Sequence, residues 1–163
     1  LPRHARAILA TAFYTGMRKG EILKLTWDRV DLKSRVILLD PEDTKDDERR
    51  RVPICDPLLK IPESIPRPIH TDRVFLYRGK PIKADIRTSF KTALKKAEIE
   101  YGRKKRNGVV FHDLRHTFVD WCYKHLSPAI APVMARHSSR DATAIYVHLE
   151  RVETMKEAQK MYR

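Results

Sequence analysis

The chain has 163 residues, 42% hydrophobic and 34% charged, which suits one domain with a proper core and a soluble surface. Its 34 Lys and Arg against 21 Asp and Glu give a net charge of +13, a field that attracts polyanions and makes nucleic acid the first partner to consider. No run of ~20 apolar residues is available to span a membrane, and because Leu1-Pro2-Arg3-His4 leads straight into a helical pattern, no signal peptide is expected.

Pro2 followed by Ala5, Ile8, Leu9, Ala12 and Phe13 at helical spacing predicts an amphipathic first helix that Gly16 ends. A short helix restarts over residues 18–25, and Thr26-Trp27-Asp28 closes it. The β-type runs 35–39 and 51–54 flank a polar stretch, predicting a long antiparallel hairpin with a strongly charged tip. Prolines 53, 57, 62, 66 and 68 limit the connection after the hairpin to turns with at most a helical turn or two. Val74-Phe75-Leu76 is expected as a third strand. Residues 83–98 read as a helix with Ile86, Phe90, Ala93, Leu94 and Ala97 on one face.

Between Gly102 and Gly108, Arg103, Lys104, Lys105 and Arg106 form a basic loop. A solvated charge run and a phosphate-facing loop are both open readings of it. Helices are then expected at about 112–126, 128–135 and 142–150, with an amphipathic tail over about 152–162. The fold class is mainly α with a small antiparallel β-sheet (α+β), as one domain over residues 1–163. Cys55 and Cys122 lie far apart with no C-x-x-C spacing and read as reduced core residues of a cytosolic protein.

Three motifs carry chemistry. The first is Thr15-Gly16-Met17-Arg18-Lys19-Gly20-Glu21, and the second is His112-Asp113-Leu114-Arg115-His116-Thr117-Phe118. The third is His137-Ser138-Ser139, with Thr143, Tyr146, Val147 and His148 after it. Together they resemble the signature of the tyrosine recombinases, the phage integrase family, whose order is Arg, Lys, His-x-x-Arg, His, Tyr. The resemblance runs from Thr15 to His148 and implies the tyrosine recombinase catalytic-domain fold. It also implies a catalytic set of Arg18, Lys45, His112, Arg115, His137 and Tyr146, with Lys45 on the β-hairpin where the family carries its lysine. Glu21 matches a family position and reads as an orienting partner.

Breaking a phosphodiester by displacement needs a nucleophile, stabilisation of two non-bridging oxygens and a proton for the leaving oxygen. A tyrosine hydroxyl near pKa ~10 is ionised about one part in a thousand at pH 7, so Tyr146 needs positive neighbours. Arg18 and Arg115 offer planar forks matched to phosphate. His112 and His137 suit phosphate donation or proton shuttling, and Lys45 is the general-acid candidate. The resemblance implies transfer of a 3′-phosphate to Tyr146, release of a 5′-hydroxyl and rejoining to another. No metal and no other cofactor is required.

The implied partner is double-stranded DNA, contacted by Arg103, Lys104, Lys105, Arg106 and Arg136. Arg136 stands where the family commonly has glycine. Self-association as a tetramer on DNA is implied for the full-length protein, with a monomer left open for this piece. The family's second, N-terminal DNA-binding domain is expected to lie outside the chain, and the setting is the cytoplasm of a bacterial cell, for a host or phage protein.

His112 and His116 have zinc-helix spacing, but Asp113 replaces the expected Glu, Arg115 adds a cation and no third ligand is evident. His116 reads instead as a satisfied structural histidine, and Thr117 and Phe118 as packing residues. Alternatives to recombination are type IB topoisomerase-like relaxation and an inactive DNA-binding module.

Overall fold

The computed structural model describes residues 2–43, 49–63, 65–82, 86–128, 130–135 and 159. Helix α1 (Arg3–Thr15) starts behind Pro2, whose ring-fixed φ of −56° leads into the first turn. Its inward face holds Ala5, Ile8 and Ala12 together with Thr11 and Thr15. The threonines are tolerated there because their hydroxyls donate to the carbonyls of Ala7 (2.9 Å) and Thr11 (2.5 Å). Gly16 ends the helix in the left-handed conformation at φ 61°, its N–H donating to the Ala12 carbonyl at 3.0 Å. Helix α2 (Lys19–Lys24) follows directly.

A 3₁₀ turn (Trp27–Arg29) leads into strands β1 (Val30–Asp31), β2 (Val36–Leu39) and β3 (Arg50–Pro53), an antiparallel sheet in that order. The predicted hairpin is β2–β3, with Val36 opposite Pro53 and Leu39 opposite Arg50. Pro53 is accommodated because β3 is an edge strand. The proline-rich segment supports α3 (Asp56–Glu63), in keeping with a helical turn or two.

Three boundaries depart from expectation. The third strand of the sheet is Val30–Asp31 and not residues 74–76. Leu76–Tyr77 (β4) pairs instead with Lys80–Pro81 (β5), since Arg78 and Gly79 both take positive φ (52° and 76°), the geometry of a tight two-residue hairpin that satisfies the strand locally. Helix α4 (Arg87–Lys96) is shorter than the apolar spacing suggested: Ile86 lies outside its first turn, and Glu98, at φ 57°, ends the run. The helix expected from 128 begins at Ala131 (α6, Ala131–Ala135), after Ser127 accepts the backbone N–H groups of Ile130 and Ala131.

Helix α5 (Asp113–His125) packs on α1 and α6, and α1 also meets α2, α3 and α4. One core joins them through Ile8, Met17, Ile22, Leu39, Ile54, Leu58 and Phe118, each contributing about 1.5–3 kcal/mol by burial if large and aliphatic or aromatic. Cys55 and Cys122 are buried free thiols in it, and burial pushes the Cys55 thiol up. The expected helix at 142–150 and most of the tail lie outside the described residues. Gln159 is described, and its amide donates to the carbonyls of Ser34 (3.0 Å) and Arg35 (3.2 Å).

Candidate active site

Gly16 is the pivot on which two distant arginines meet. A Cβ at this position would lie 2.4 Å from the Phe118 ring, so only glycine allows α5 to approach the end of α1 this closely. With Phe118 seated there, Arg115 lies one helical turn earlier in α5, and its Nη1 donates to the Gly16 carbonyl at 2.5 Å. Arg18, two residues past Gly16, is thereby brought to the same cleft as Arg115 and His112.

The cleft has a volume of about 250 Å³. Arg18, Lys19, Arg87, His112 and Arg115 give it a cationic lining beside apolar Met17, Phe90 and Phe111. Phe90 meets Phe111 and Tyr101 edge-on, with centroids 5.7 and 6.3 Å apart, so the apolar side is a packed aromatic wall. Such a concave site, with several cations over a low-dielectric wall, suits a phosphodiester.

Glu21 fixes Arg18 from behind. Its Oε2 accepts the Arg18 backbone N–H at 2.9 Å and its Oε1 faces Arg18 Nη1 at 3.3 Å. Arg50 Nη2 also donates to Oε1. Glu21 and Arg50 are each 4% exposed, and breaking such a buried pair from one side typically costs about 3–5 kcal/mol. The orienting role expected of Glu21 matches these contacts. Arg50 was not singled out in the sequence.

His112 immediately precedes α5, and its ring meets His116 edge-on with centroids 4.9 Å apart. Partial loss of water around the ring, then the positive influence of His116, Arg115 and Arg103, holds its pKa below the ordinary 6.5 against the opposing pull of Asp113. Asp113 has its own structural task, since its Oδ2 accepts the Val110 N–H at 2.7 Å and closes the turn into the helix. His116 is exposed, which corrects the expectation of a satisfied structural histidine. Thr117 is exposed too, its hydroxyl donating to Asp113 O at 3.0 Å, so of that pair only Phe118 is packing. Among the described residues no group of three or more His, Cys, Asp or Glu converges in a way that could hold a metal ion.

Arg103, Lys104, Lys105 and Arg106 are all exposed on a tight loop beside the cleft. The loop is closed by Gly102 N–H to Val109 O (3.2 Å), Lys105 N–H to Gly102 O (3.1 Å) and Gly108 N–H to Lys105 O (3.0 Å). A Cβ on Gly108 would lie 2.0 Å from the Gly102 carbonyl oxygen, which explains the glycine there. Lys45, Arg136, His137 and Tyr146 lie outside the described residues. Lys19 and Arg87 enter the site unforeseen. Lys19 stands within the first motif, whereas Arg87 carries no sequence signal beyond opening a helix.

Comparison with known proteins adds a family. Residues 1–153 match the model of the phage integrase family. The chain is 27% identical over 160 residues to the integrase of Salmonella phage P22, covering 88% of this chain and 39% of that protein. It is 31% identical over 144 residues to the shufflon-specific DNA recombinase of Escherichia coli, covering 87% and 34%. The chain thus spans between a third and two fifths of these relatives. Its fold matches that of the integrase from mycobacterium phage Brujita at a TM-score of 0.70 and 20% identity, over all of this chain and 54% of the other.

Proposed function

Because the chain belongs to the phage integrase family, we propose that it is the catalytic domain of a site-specific DNA recombinase, working through a covalent bond between DNA and Tyr146. The observation that supports this most is the meeting of Arg18, His112 and Arg115, far apart in sequence, on one cationic cleft. The matched relatives carry the names integrase and recombinase, which favours recombination over topoisomerase-like relaxation.

In this reading the scissile phosphate sits between Arg18 and Arg115, whose guanidiniums neutralise the two non-bridging oxygens as charge builds on them. His112 donates to the same phosphate. Tyr146 gives its hydroxyl proton to His137 as its oxygen bonds to phosphorus, the P–O5′ bond breaks, and the departing 5′-oxygen takes a proton from Lys45. His137 assists at the phosphate. A second 5′-hydroxyl then attacks the phosphotyrosine and returns a proton to Lys45, while Tyr146 leaves and takes its proton back from His137. The ester preserves the bond energy, so the residues need no metal and no high-energy cofactor.

Double-stranded DNA is the proposed partner, held as well by Arg103, Lys104, Lys105, Arg106 and Arg136. Four protomers on DNA are proposed for the complete protein, with this chain as its single catalytic domain, acting in the bacterial cytoplasm. No helix among the described residues is long and apolar enough to cross a membrane.

Covalent trapping tests the proposal. With a nicked junction substrate that loses its 5′-hydroxyl fragment on cleavage, in chelator, a slower-migrating adduct is expected on a denaturing gel. It disappears in Tyr146→Phe. An adduct that survives this substitution, or none at all despite DNA binding, rejects the assignment.

A further inference from the structure

Arg49, Arg50 and Arg51 stand in a row at the start of β3, and only the middle one is turned inward. Strand alternation explains the pattern, since neighbours point to opposite faces. Arg49 is exposed and pairs through Nε with Asp40 at 3.1 Å, whereas Arg50 is 4% exposed. A cation sunk this deep needs a partner, and Arg50 has Glu21. Its Nε has no hydrogen-bond partner among the described residues, an unfavourable condition that water would relieve at the surface. Packing alone gives no reason for a guanidinium here.

Glu21 supplies the reason. Its carboxylate serves two guanidiniums, so the three groups together carry a net positive charge. Of the three only Arg18 lines the cleft, its side chain 29% exposed against 3% for Glu21 and 4% for Arg50. Without Arg50, the negative charge of Glu21 would fall on Arg18 and cancel the charge that a phosphate is to meet.

We infer that Arg50 is a positioning residue that neutralises Glu21 from the buried side, so that Arg18 presents an undiminished positive charge to the scissile phosphate. The inference rests on the reading of Arg18 given above. Arg50 touches no DNA; it acts through Glu21.

The test is single-turnover cleavage at saturating protein on two nicked substrates. One has an ordinary scissile phosphate. The other has a methylphosphonate, in which a methyl group replaces one non-bridging oxygen and less negative charge develops. Arg50→Met is expected to slow cleavage of the phosphate by about 100-fold, within the range seen when a residue supporting a reactive group is lost, and the methylphosphonate far less.

The double variant Glu21→Gln, Arg50→Met removes both charges and leaves Arg18 with the same net charge as before. It is expected to cleave the phosphate faster than Arg50→Met alone and within about tenfold of Glu21→Gln alone. Equal slowing of both substrates by Arg50→Met overturns the inference, because loss of general stability does not distinguish them. Should Arg50→Met fail to fold, the Glu21→Gln background decides alone, and a fall of more than about tenfold on adding Arg50→Met there overturns the inference. A chain that forms no adduct at all overturns the recombinase reading and this inference with it. Normal cleavage with no substrate selectivity in the variants overturns this inference only.

Discussion

Two groups of cations flank the same cleft and could hardly be held more differently. Arg18 and Arg115 are anchored by a carboxylate and a backbone carbonyl, on elements that pack into the core. Arg103, Lys104, Lys105 and Arg106 stand exposed on a loop and make no ion pair among the described residues. The first pair has fixed geometry and the second group supplies mainly field. Identical residue types therefore predict different sensitivities: shape matters at the anchored arginines, and charge alone matters on the loop.

Exchanging arginine for lysine breaks that comparison most directly. Arg115→Lys keeps the charge but loses the fork and the contact to Gly16, and single-turnover cleavage is expected to fall by about 10²–10³-fold. Arg103→Lys should leave DNA affinity within about twofold, because a point charge serves the field equally well. Titrating affinity against salt sharpens the point, since each phosphate contact contributes a slope near 0.9 on logarithmic axes. If Arg103→Lys proved as damaging as Arg115→Lys, the loop would be part of the anchored site.

Gly16→Ala probes what holds the anchored pair together. The new methyl group meets the Phe118 ring, and φ at 61° disfavours any side chain, so we expect a loss of roughly 3 kcal/mol. Heat unfolding measures it, and a parallel fall in cleavage shows that the two arginines part when α5 is displaced. An unaffected thermal midpoint would mean that the contact yields easily.

A pH-dependent effect concerns His112. Its pKa in the free protein lies below 6.5, and a bound phosphate raises it, so binding takes up a proton. DNA affinity should therefore rise as pH falls toward the free-state value, by at most about tenfold per pH unit, and level off below it. At constant ionic strength His112→Gln should flatten that part of the profile. A slope untouched by the substitution assigns the proton elsewhere.

Much of this was readable from sequence where the signal is local. The α1 stripe ending at Gly16, the hairpin runs around a polar tip and the motif before Phe118 all announce themselves within a few residues. The strand at Val30–Asp31 did not, because two residues give no alternation and aspartate is a poor strand former. Residues 74–76 look more strand-like by composition, yet the turn at Arg78-Gly79 took the pairing elsewhere. Within the site, Arg18, His112 and Arg115 were legible through their motifs. Arg87 and Arg50 were not, since joining the cleft or sinking behind it depends on contacts from remote segments. Among three consecutive arginines, burial of the middle one is decided by the placement of α2.

The hydrogen bond from Arg115 to Gly16 spans 99 positions of the chain. On a nascent polypeptide still short of α5, the first arginine has no counterpart and the cleft has no second wall. Contacts so distant in sequence form late, because their loop must close before they contribute. In the proposed recombinase, competence to cut DNA would thus arrive only with completed folding, and chains that lack α5 would carry no half-assembled cleft.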